Sequence, residues 1–389
     1  MTTPQGAVKA RPGQQAPAPV PAQPFRVGVY DQESGADYDQ TVTMTTSTVT
    51  FPAYSITPNG WLKGLWFLIE CTTAGNSAAT AFKADAPFSA IKQVTFYDVG
   101  GKQIFGPITG YDWLTIMKFG GYHEIGDPRA DLSYSTTTGA GATGGSFTMV
   151  MYLPLELVER DALGSIENKS TSAAYRVELI LDQSSNVYST APTTLGTVRC
   201  RVILDGYTEP QAATADGRPA SQAPPAAGTI QYWSTENGTL PVGSTKYLVQ
   251  TGLGYSIRNI VFKLVDSTGS RAQGDADWPD PVLFQLGQVQ LFNRFKKLWI
   301  SKMGKDFGLT STTADSALGR ENGVFPVWFN QDFGLRVGAE LRNDYLVTKP
   351  GNVLALSGSI GGSGTHTLYA TVNYVVPPGN DPAQLRAMR

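Results

Sequence analysis

The fold is decided by a stretch that begins Ile91-Lys92-Gln93-Val94-Thr95-Phe96-Tyr97 and leads into Tyr111-Asp112-Trp113-Leu114-Thr115-Ile116-Met117-Lys118-Phe119. The first run has the β-branched and aromatic residues of a strand, and the run 98–102, with two glycines, predicts a hairpin turn after it. The second run carries Trp113, Ile116 and Met117 at the i, i+3, i+4 spacing of a short amphipathic helix. The first half of the chain is therefore predicted to combine strands, a tight turn and a short helix.

The same order of segments occurs a second time, in the second half of the chain. The corresponding runs are Val282-Leu283-Phe284-Gln285-Leu286, Val289-Gln290-Leu291-Phe292 and Phe295-Lys296-Lys297-Leu298-Trp299-Ile300. In each half a short apolar strand follows (147–153 and 324–329), and an alternating strand closes the half (197–204 and 367–375). Matching segments lie roughly 170–190 positions apart, far beyond the period of solenoid repeats. The sequence therefore predicts one kind of β-domain made twice.

Three further runs in the first half predict strands. The run 41–51 alternates over much of its length, as a half-buried strand does. The run 61–71 is rich in aromatic and aliphatic residues, which indicates a buried strand, and the run 174–182 alternates again.

A proline-rich N-terminal segment, residues 1–35, is predicted to form a flexible arm. Its first 25 residues intersperse proline with Ala and Gln, a composition that cannot bury enough apolar surface to fold alone. Lys9, Arg11 and Arg26 make this arm weakly basic. It is therefore a candidate for contact with a neighbouring subunit, a membrane headgroup layer or packaged nucleic acid, and the alternative is a tail with no partner.

A second proline-rich segment, residues 209–228, marks the boundary between the two halves. It has many alanines and no bulky apolar residue, which is typical of a linker or an exposed loop. We therefore expect the first β-domain at 36–208, the second at 229–377 and a C-terminal tail at 378–389.

The composition argues against general affinity for nucleic acid. Charged residues make up 16% of the 389 residues, and the formal net charge is −2. Nucleic-acid binding requires clusters of Lys and Arg that neutralise phosphates, so no sequence-specific nucleic-acid binding is predicted. Low surface charge suits a protein that packs against copies of itself.

Membrane insertion and secretion are not indicated. No apolar signal-peptide core follows Met1, and the longest apolar run, 61–69, is too short to cross a bilayer. We expect the protein to be made in a cytoplasm.

The cysteines and histidines are too few for a metal centre. Cys71 and Cys200 lie in apolar runs and are expected to be buried free thiols, with a single disulfide as the alternative. His123 and His366 cannot form a four-ligand zinc site with them at normal spacing. Neither a cofactor nor a bound metal is predicted.

Motifs of catalysis are equally weak. The run Gly139-Ala140-Gly141-Ala142-Thr143-Gly144 has dinucleotide-loop spacing, but a strand follows it instead of the required helix. No G-x-S-x-G elbow is present, and acid pairs such as Glu156/Glu159 and Asp277/Asp280 are expected by chance among 32 carboxylates. The sequence predicts that the protein is not an enzyme.

One loop and one set of aromatic residues leave alternatives open. Asp275, Asp277 and Asp280 surround Trp278 and have the oxygen ligands of a Ca²⁺ site, although a solvated loop is the simpler interpretation. An exposed aromatic face would indicate sugar binding, whereas aromatic residues inside strand-like runs are expected in the core. The aromatic residues concerned are Tyr232, Trp233, Trp278 and Trp328.

The first half resembles a known family, the tectivirus major capsid proteins. The resemblance rests first on Ile91-Lys92-Gln93-Val94-Thr95-Phe96-Tyr97-Asp98 with Gly110-Tyr111-Asp112-Trp113-Leu114. It rests next on Ala140-Gly141-Ala142-Thr143-Gly144-Gly145-Ser146-Phe147-Thr148-Met149, which runs into Tyr152-Leu153-Pro154-Leu155-Glu156. The acidic run 159–163 and the predicted strand 176–181 complete it. It covers roughly residues 90–182, while the second half matches in the order and length of its elements.

The resemblance implies an all-β fold of two tandem eight-stranded jelly rolls, a double jelly roll, with short helices in the connections. It implies a structural role as a major capsid protein of a membrane-containing bacteriophage. Three copies would form a pseudo-hexagonal homotrimer, and trimer–trimer contacts would tile an icosahedral virion shell around an internal membrane and double-stranded DNA. The expected partners are penton or vertex proteins, minor capsid proteins and the internal lipid membrane, which the arm with Lys9, Arg11 and Arg26 would contact. The alternative function is a receptor-binding or lectin-like spike built from two β-sandwiches.

Overall fold

The structure is a computed structural model that describes residues 23, 25–74, 76–122, 127–157, 162–210, 213, 221–222, 230–271, 277–307, 321–329 and 345–376. Strands dominate these residues. In the first half they are β1 (Asp31–Thr43), β2 (Val49–Thr50), β3 (Tyr54–Ser55), β4 (Trp61–Thr72), β5 (Asn76–Phe82), β6 (Ile91–Tyr97), β7 (Gln103–Ile108), β8 (Ser135–Thr136), β9 (Gly139–Gly141), β10 (Phe147–Pro154), β11 (Ile166–Glu167), β12 (Arg176–Leu181), β13 (Tyr188–Thr190) and β14 (Thr197–Tyr207). In the second half they are β15 (Ile230–Leu240), β16 (Gly243–Val249), β17 (Ser256–Val265), β18 (Val282–Leu286), β19 (Val289–Arg294), β20 (Val324–Trp328), β21 (Leu346–Val347), β22 (Leu354–Ile360) and β23 (His366–Val376).

The helices are short and lie in the connections. They are α1 (Val27–Tyr30), α2 (Gly110–Phe119), α3 (Ser184–Val187) and α4 (Lys296–Phe307), with 3₁₀ turns at Phe88–Ala90 and Pro128–Ala130. Within the described chain, every helix lacks the length and apolar composition needed to cross a bilayer.

Two barrels with the same strand order form the molecule. In the first barrel, one sheet has the order β1-β14-β4-β10, and the other has the order β2/β3-β12-β6-β7. In the second barrel the orders are β15-β23-β17-β20 and β16-β22-β18-β19. Each set of strands, taken in chain order, gives the topology of a jelly roll. The prediction of two jelly rolls with short helices in their connections is confirmed.

Local chemistry explains the two elements on which the sequence prediction depends. Between β6 and β7, the Asp98 carboxylate accepts hydrogen bonds from the backbone N–H groups of Gly100 and Lys102, and Gly101 takes a positive φ of 83°. At the start of α2, the Thr109 hydroxyl accepts from the backbone N–H of Asp112 and so caps the helix.

The two barrels are continuous with each other. Strand β7 of the first barrel pairs in parallel with β15 of the second, where Phe105 faces Trp233, and this contact joins two sheets into one of ten strands. One hydrophobic core runs through both barrels, from Met44 to Val372. The barrels therefore form one block.

The block has two different ends. Asp31 at the start of β1 faces Tyr207 at the end of β14, and Ile230 at the start of β15 faces Val376 at the end of β23. Because β7 and β15 run parallel, both barrels point the same way. We call the end that carries these four residues the terminal end, and the opposite end, where α2 and α4 begin, the loop end.

The structure corrects three sequence-based predictions. The run 41–51 is two strands, because residues 44–48 turn the chain from one sheet to the other. Strand β1 begins at Asp31, so the last residues of the predicted arm 1–35 belong to the first barrel. Trp278, which was expected in a solvated loop, is only 2% exposed and stacks on Phe325 with ring centroids 4.5 Å apart.

Candidate functional site at the seam between the barrels

The contact between the two barrels, which we call the seam, is built on helix α2. All ten residues of α2 are buried, including Asp112 and Lys118. One face of the helix packs on the first barrel, where the Trp113 indole N–H donates to the carbonyl of Tyr152 at 2.7 Å. The other face is covered by the second barrel. The helix is therefore buried on all sides, and its second face would be exposed only if the first barrel stood alone.

A cluster of four charged residues, three of them buried and Arg129 partly buried, holds the two barrels together. The Lys118 ammonium donates to Asp127 at 2.7 Å and to Glu321, from the second half of the chain, at 2.9 Å. The Arg129 guanidinium also contacts both carboxylates. The Tyr111 hydroxyl donates to the second oxygen of Glu321 at 2.7 Å. Two cations and two carboxylates therefore meet in one cluster, in which both carboxylates are fully buried.

The surroundings of Glu321 keep it charged. Burial by itself raises the pKa of a carboxyl group, but the nearby Lys118 and Arg129 and the hydrogen bond from Tyr111 outweigh burial and lower the pKa of Glu321 to about 2. Burial, together with the negative charge of Glu321, raises the pKa of Tyr111 well above its ordinary value. Glu321 is therefore ionised across the ordinary pH range.

Two further ion pairs cross the seam. Lys263 on β17 contacts Asp112 at 2.5 Å, and its ammonium lies 4.9 Å from the centre of the Tyr369 ring. Arg271 donates to Asp85 at 2.9 Å. At the loop end Asp85, Lys263, Arg271 and Tyr369 line a polar cleft of about 380 Å³ between the barrels.

Hydrogen bonds to backbone carbonyls secure the seam toward the terminal end. Arg258 donates to the carbonyl of Gly120 at 3.0 Å, and the Trp328 indole donates to the carbonyl of Phe119 at 2.7 Å. Gln231 donates to the carbonyl of Glu156 at 2.7 Å. Each bond joins one half of the chain to the other, so the relative position of the barrels is fixed along the length of α2.

The seam was not found from the sequence. Its charged residues are separated by about two hundred positions, and a single sequence carries no sign that Lys118 and Glu321 meet. The one available signal was the pair of charged residues Asp112 and Lys118 in an otherwise apolar helix.

The predicted arm residues are only partly described. Lys9 and Arg11 lie outside the described residues. Arg26 is exposed and directly precedes α1, and its carbonyl accepts a hydrogen bond from the backbone N–H of Val29. No described contact joins Arg26 to a partner, and its role stays a prediction.

The residues considered for metal or thiol chemistry are dispersed. Both Cys71 and Cys200 are buried free thiols, as expected, and burial raises the pKa of Cys71 to about 11. His123 and Asp275 lie outside the described residues. His366 is buried with its Nε2 3.5 Å from Asp277. The described part of the chain contains no group of His, Cys, Asp and Glu that would hold a metal ion.

The other candidate motifs have structural roles. Gly139–Gly141 forms strand β9 paired with β5, and strand β10 follows. Tyr232, Trp233 and Trp278 are buried, and Trp328 is half-buried with its indole bound in the seam. These four residues therefore form no exposed aromatic face for sugar binding.

Comparison with known proteins identifies the fold. No protein-family model matches the chain, and no curated protein sequence matches it. Among solved structures, the MCP of STIV aligns with a TM-score of 0.58 and 12% identity over 90% of this chain and 99% of that chain. A chain of the Sulfolobus Turreted Icosahedral Virus atomic structure aligns with a TM-score of 0.58 and 13% identity over 91% and 96%. The Faustovirus major capsid protein aligns with a TM-score of 0.53 and 10% identity over 95% and 92%.

These alignments cover at least 90% of this chain, which includes both of its barrels, and identities this low concern the fold alone. The chain has two barrels with the same strand order, joined through a parallel strand pair, and the solved structures match it over nearly its whole length. This chain therefore has the double jelly-roll fold of viral major capsid proteins.

Proposed function

We propose that the chain is a structural major capsid protein, without enzymatic activity, that acts in the virion shell. The observation that carries the proposal is the seam, in which a continuous sheet, one core and buried ion pairs fuse two equivalent barrels into one rigid block. Such a block is suited to load-bearing, because neither barrel can move without breaking buried charge contacts. The solved structures that share the fold are capsid proteins by name.

The finer proposal is a homotrimer of six barrels that serves as a pseudo-hexagonal tile. Trimer–trimer contacts would then build an icosahedral shell around an internal membrane and double-stranded DNA, with penton or vertex and minor capsid proteins as further partners. The terminal end would face inward, since it carries the start of β1, next to the predicted arm with Lys9, Arg11 and Arg26. Synthesis in the host cytoplasm and a bacteriophage host belong to the same proposal.

Light scattering on a sizing column tests the proposal. A homotrimer of a 41.7 kDa chain has a mass of about 125 kDa, which is the expected result for the purified native protein. Electron microscopy of the same fraction should show hexagonal tiles. A chain that stays monomeric at high concentration would contradict the proposal.

A further inference from the structure

The polar cleft at the loop end has the size of a small-molecule site. The first barrel contributes Asp85 and Thr109 to its lining, and the second contributes residues of β17, of β23 and of the turn 266–270. Its volume of about 380 Å³ lies in the range of ligand pockets, which begins at roughly 300 Å³. The seam requires the ion pairs at the floor of this cleft, but it does not require the open space above them.

The two cations at the floor are already neutralised. Lys263 is 8% exposed and pairs with Asp112 at 2.5 Å, and Arg271 is 3% exposed and pairs with Asp85 at 2.9 Å. An anionic ligand would have to compete with these two carboxylates for the same cations. Asp266 adds a third carboxylate to the surroundings of the cleft, so an anion meets a net negative charge.

A metal ion fits the cleft no better. The Oδ1 atom of Asp266 accepts hydrogen bonds from the Thr268 hydroxyl and from the backbone N–H groups of Thr268 and Ser270, and these bonds lower the pKa of Asp266. The Oδ1 atom of Asp85 accepts from Arg271. One oxygen of each carboxylate is therefore engaged, and the buried cations at the floor repel a further positive charge. The charges of the cleft favour a neutral ligand.

Hydroxyl groups supply the remaining hydrogen-bonding capacity. Four residues of the lining have hydroxyls without a hydrogen-bond partner in the described part of the chain: Ser267, Thr365, Thr367 and Tyr369. Each hydroxyl can both donate and accept. The Lys263 ammonium has three N–H groups, and its described hydrogen bond is the one to Asp112. The lining therefore suits a ligand that has several hydroxyls of its own.

The ring of Tyr369 adds an apolar surface. It is half-buried, and the Lys263 ammonium lies 4.9 Å from its centre. Tyr369 is held on both sides, because β23 pairs with β17 at Lys263 and with β15 at Asn237. An aromatic ring beside hydrogen-bonding groups suits a ligand that has both C–H faces and hydroxyls, which are the features of a sugar ring.

The rim of the cleft is formed by two turns that touch each other. In the turn 266–270, Gly269 takes a positive φ of 81°. In the turn 361–365, Gly364 takes a positive φ of 79°, and a Cβ atom there would lie 2.8 Å from the Ser267 hydroxyl oxygen. Glycine therefore allows the turns to meet. A ligand finds the rim already in place, which lowers the entropy cost of binding.

We propose that this cleft binds a neutral sugar. Hydroxyls of the sugar exchange hydrogen bonds with Ser267, Thr365, Thr367 and Tyr369 and accept from Lys263, while a C–H face packs on the Tyr369 ring. The inference goes beyond the proposed function, because it concerns the end of the block opposite the predicted arm. In a shell whose terminal ends face inward, many weak sugar sites would act together on one outer surface.

Titration of the native protein with single sugars tests the site. The probes are the methyl glycosides of glucose, galactose, mannose, N-acetylglucosamine and rhamnose, followed by saturation-transfer-difference NMR. At least one should bind with a dissociation constant of about 1 mM, the strength expected of so small a ligand. No saturable binding of any of the five up to about 50 mM would overturn the inference.

Paired variants locate the binding. The cleft variant combines Thr367→Val and Tyr369→Phe, which remove two hydroxyls and keep the shape of each side chain. It should bind the sugar at least roughly tenfold more weakly. The control combines Thr245→Val and Tyr374→Phe, two half-buried residues of the same barrel that do not line the cleft, and it should bind like the native protein.

Circular dichroism shows whether each variant is folded. If the cleft variant loses its fold, Ser267→Ala with Thr365→Val replaces it, because both side chains are exposed, and the same weakening is expected. Equal binding by the native protein and a folded cleft variant would place the sugar elsewhere and contradict the inference.

Charged probes provide a second test. Inorganic phosphate and CaCl₂, titrated by isothermal calorimetry, should give no saturable heat. Saturable binding of either ion that the control keeps and the cleft variant loses would make the cleft an ion site, and the inference would be wrong. None of these titrations depends on the oligomeric state, so a monomer that binds sugar would contradict the capsid proposal and support the cleft. An assembled protein that binds no sugar would do the reverse.

Discussion

At the scale of single residues, Glu321 determines how the barrels hold together. Its carboxylate is fully buried and meets Lys118, Arg129 and Tyr111. Burying charges costs free energy, and the cluster recovers that cost only when every member has its partner. Loss of one member leaves an uncompensated charge in the core.

Glu321→Gln should therefore lower the free energy of unfolding by about 3–5 kcal/mol, since Lys118 and Arg129 would lose the charge of a carboxylate that both of them contact. Urea denaturation followed by tryptophan fluorescence measures the change. Glu167→Gln serves as control, because the carboxylate of Glu167 is exposed and forms an ion pair with Lys169 at the surface, and it should change stability by less than about 0.5 kcal/mol. Equal effects of both substitutions would contradict the role of the cluster.

The free energy of unfolding at acid pH should depend on the ionisation of Glu321. Its pKa is about 2 in the folded protein and has an ordinary value of 4.5, so folding favours the ionised form. The resulting stabilisation is fully present above about pH 4.5 and is lost as the pH falls toward 2. Denaturation at a series of pH values should show a shallower loss in this window for Glu321→Gln than for the native protein. Parallel curves would show that Glu321 does not titrate as described.

At the scale of elements, more of the fold than of the seam could be predicted from the sequence. The succession of elements along the chain, the hairpin at 98–102 and the helix that follows β7 depend on local patterns that a sequence displays. The break at 44–48 was missed because Thr45, Thr46 and Thr48, which lie within it, are residues that favour strands. The seam depends on pairs such as Lys263 with Asp112, whose partners are far apart in the chain, so only the folded barrels bring them together.

Helix α2 begins at a capping interaction whose loss should be measurable. Thr109→Ala removes the hydroxyl that accepts from the backbone N–H of Asp112 and should lower the free energy of unfolding by about 1 kcal/mol. Thr109→Ser keeps a hydroxyl at the same position and should restore most of that stability. Urea denaturation of both variants provides the comparison, and equal loss in both would assign the effect to the Thr109 methyl group.

At the scale of the whole molecule, the two barrels should unfold as one unit. One core and one ten-stranded sheet span both, so neither barrel keeps its buried surface when the other opens. Differential scanning calorimetry should therefore show a single transition whose calorimetric and van't Hoff enthalpies agree. Two resolved transitions would mean that the seam is weaker than the barrels.

Removal of residues 1–25 should impair shell assembly or membrane association and leave the trimer intact. The expectation follows from the proline-rich composition of this segment and from its connection to β1 at the terminal end. Light scattering of the truncated protein and flotation with lipid vesicles measure the two effects separately. Normal assembly and flotation would show that the arm is dispensable.

The parallel alignment of the barrels has a practical consequence for engineering. Strands β1 and β23, which lead to the two chain termini, begin and end at the terminal end, while the exposed turn 361–365 between β22 and β23 lies at the loop end. A peptide grafted into that turn would be displayed on one surface of an assembled sheet of copies, and a cargo fused to either terminus would be carried on the other. The two surfaces of such a material could be decorated independently from a single gene product.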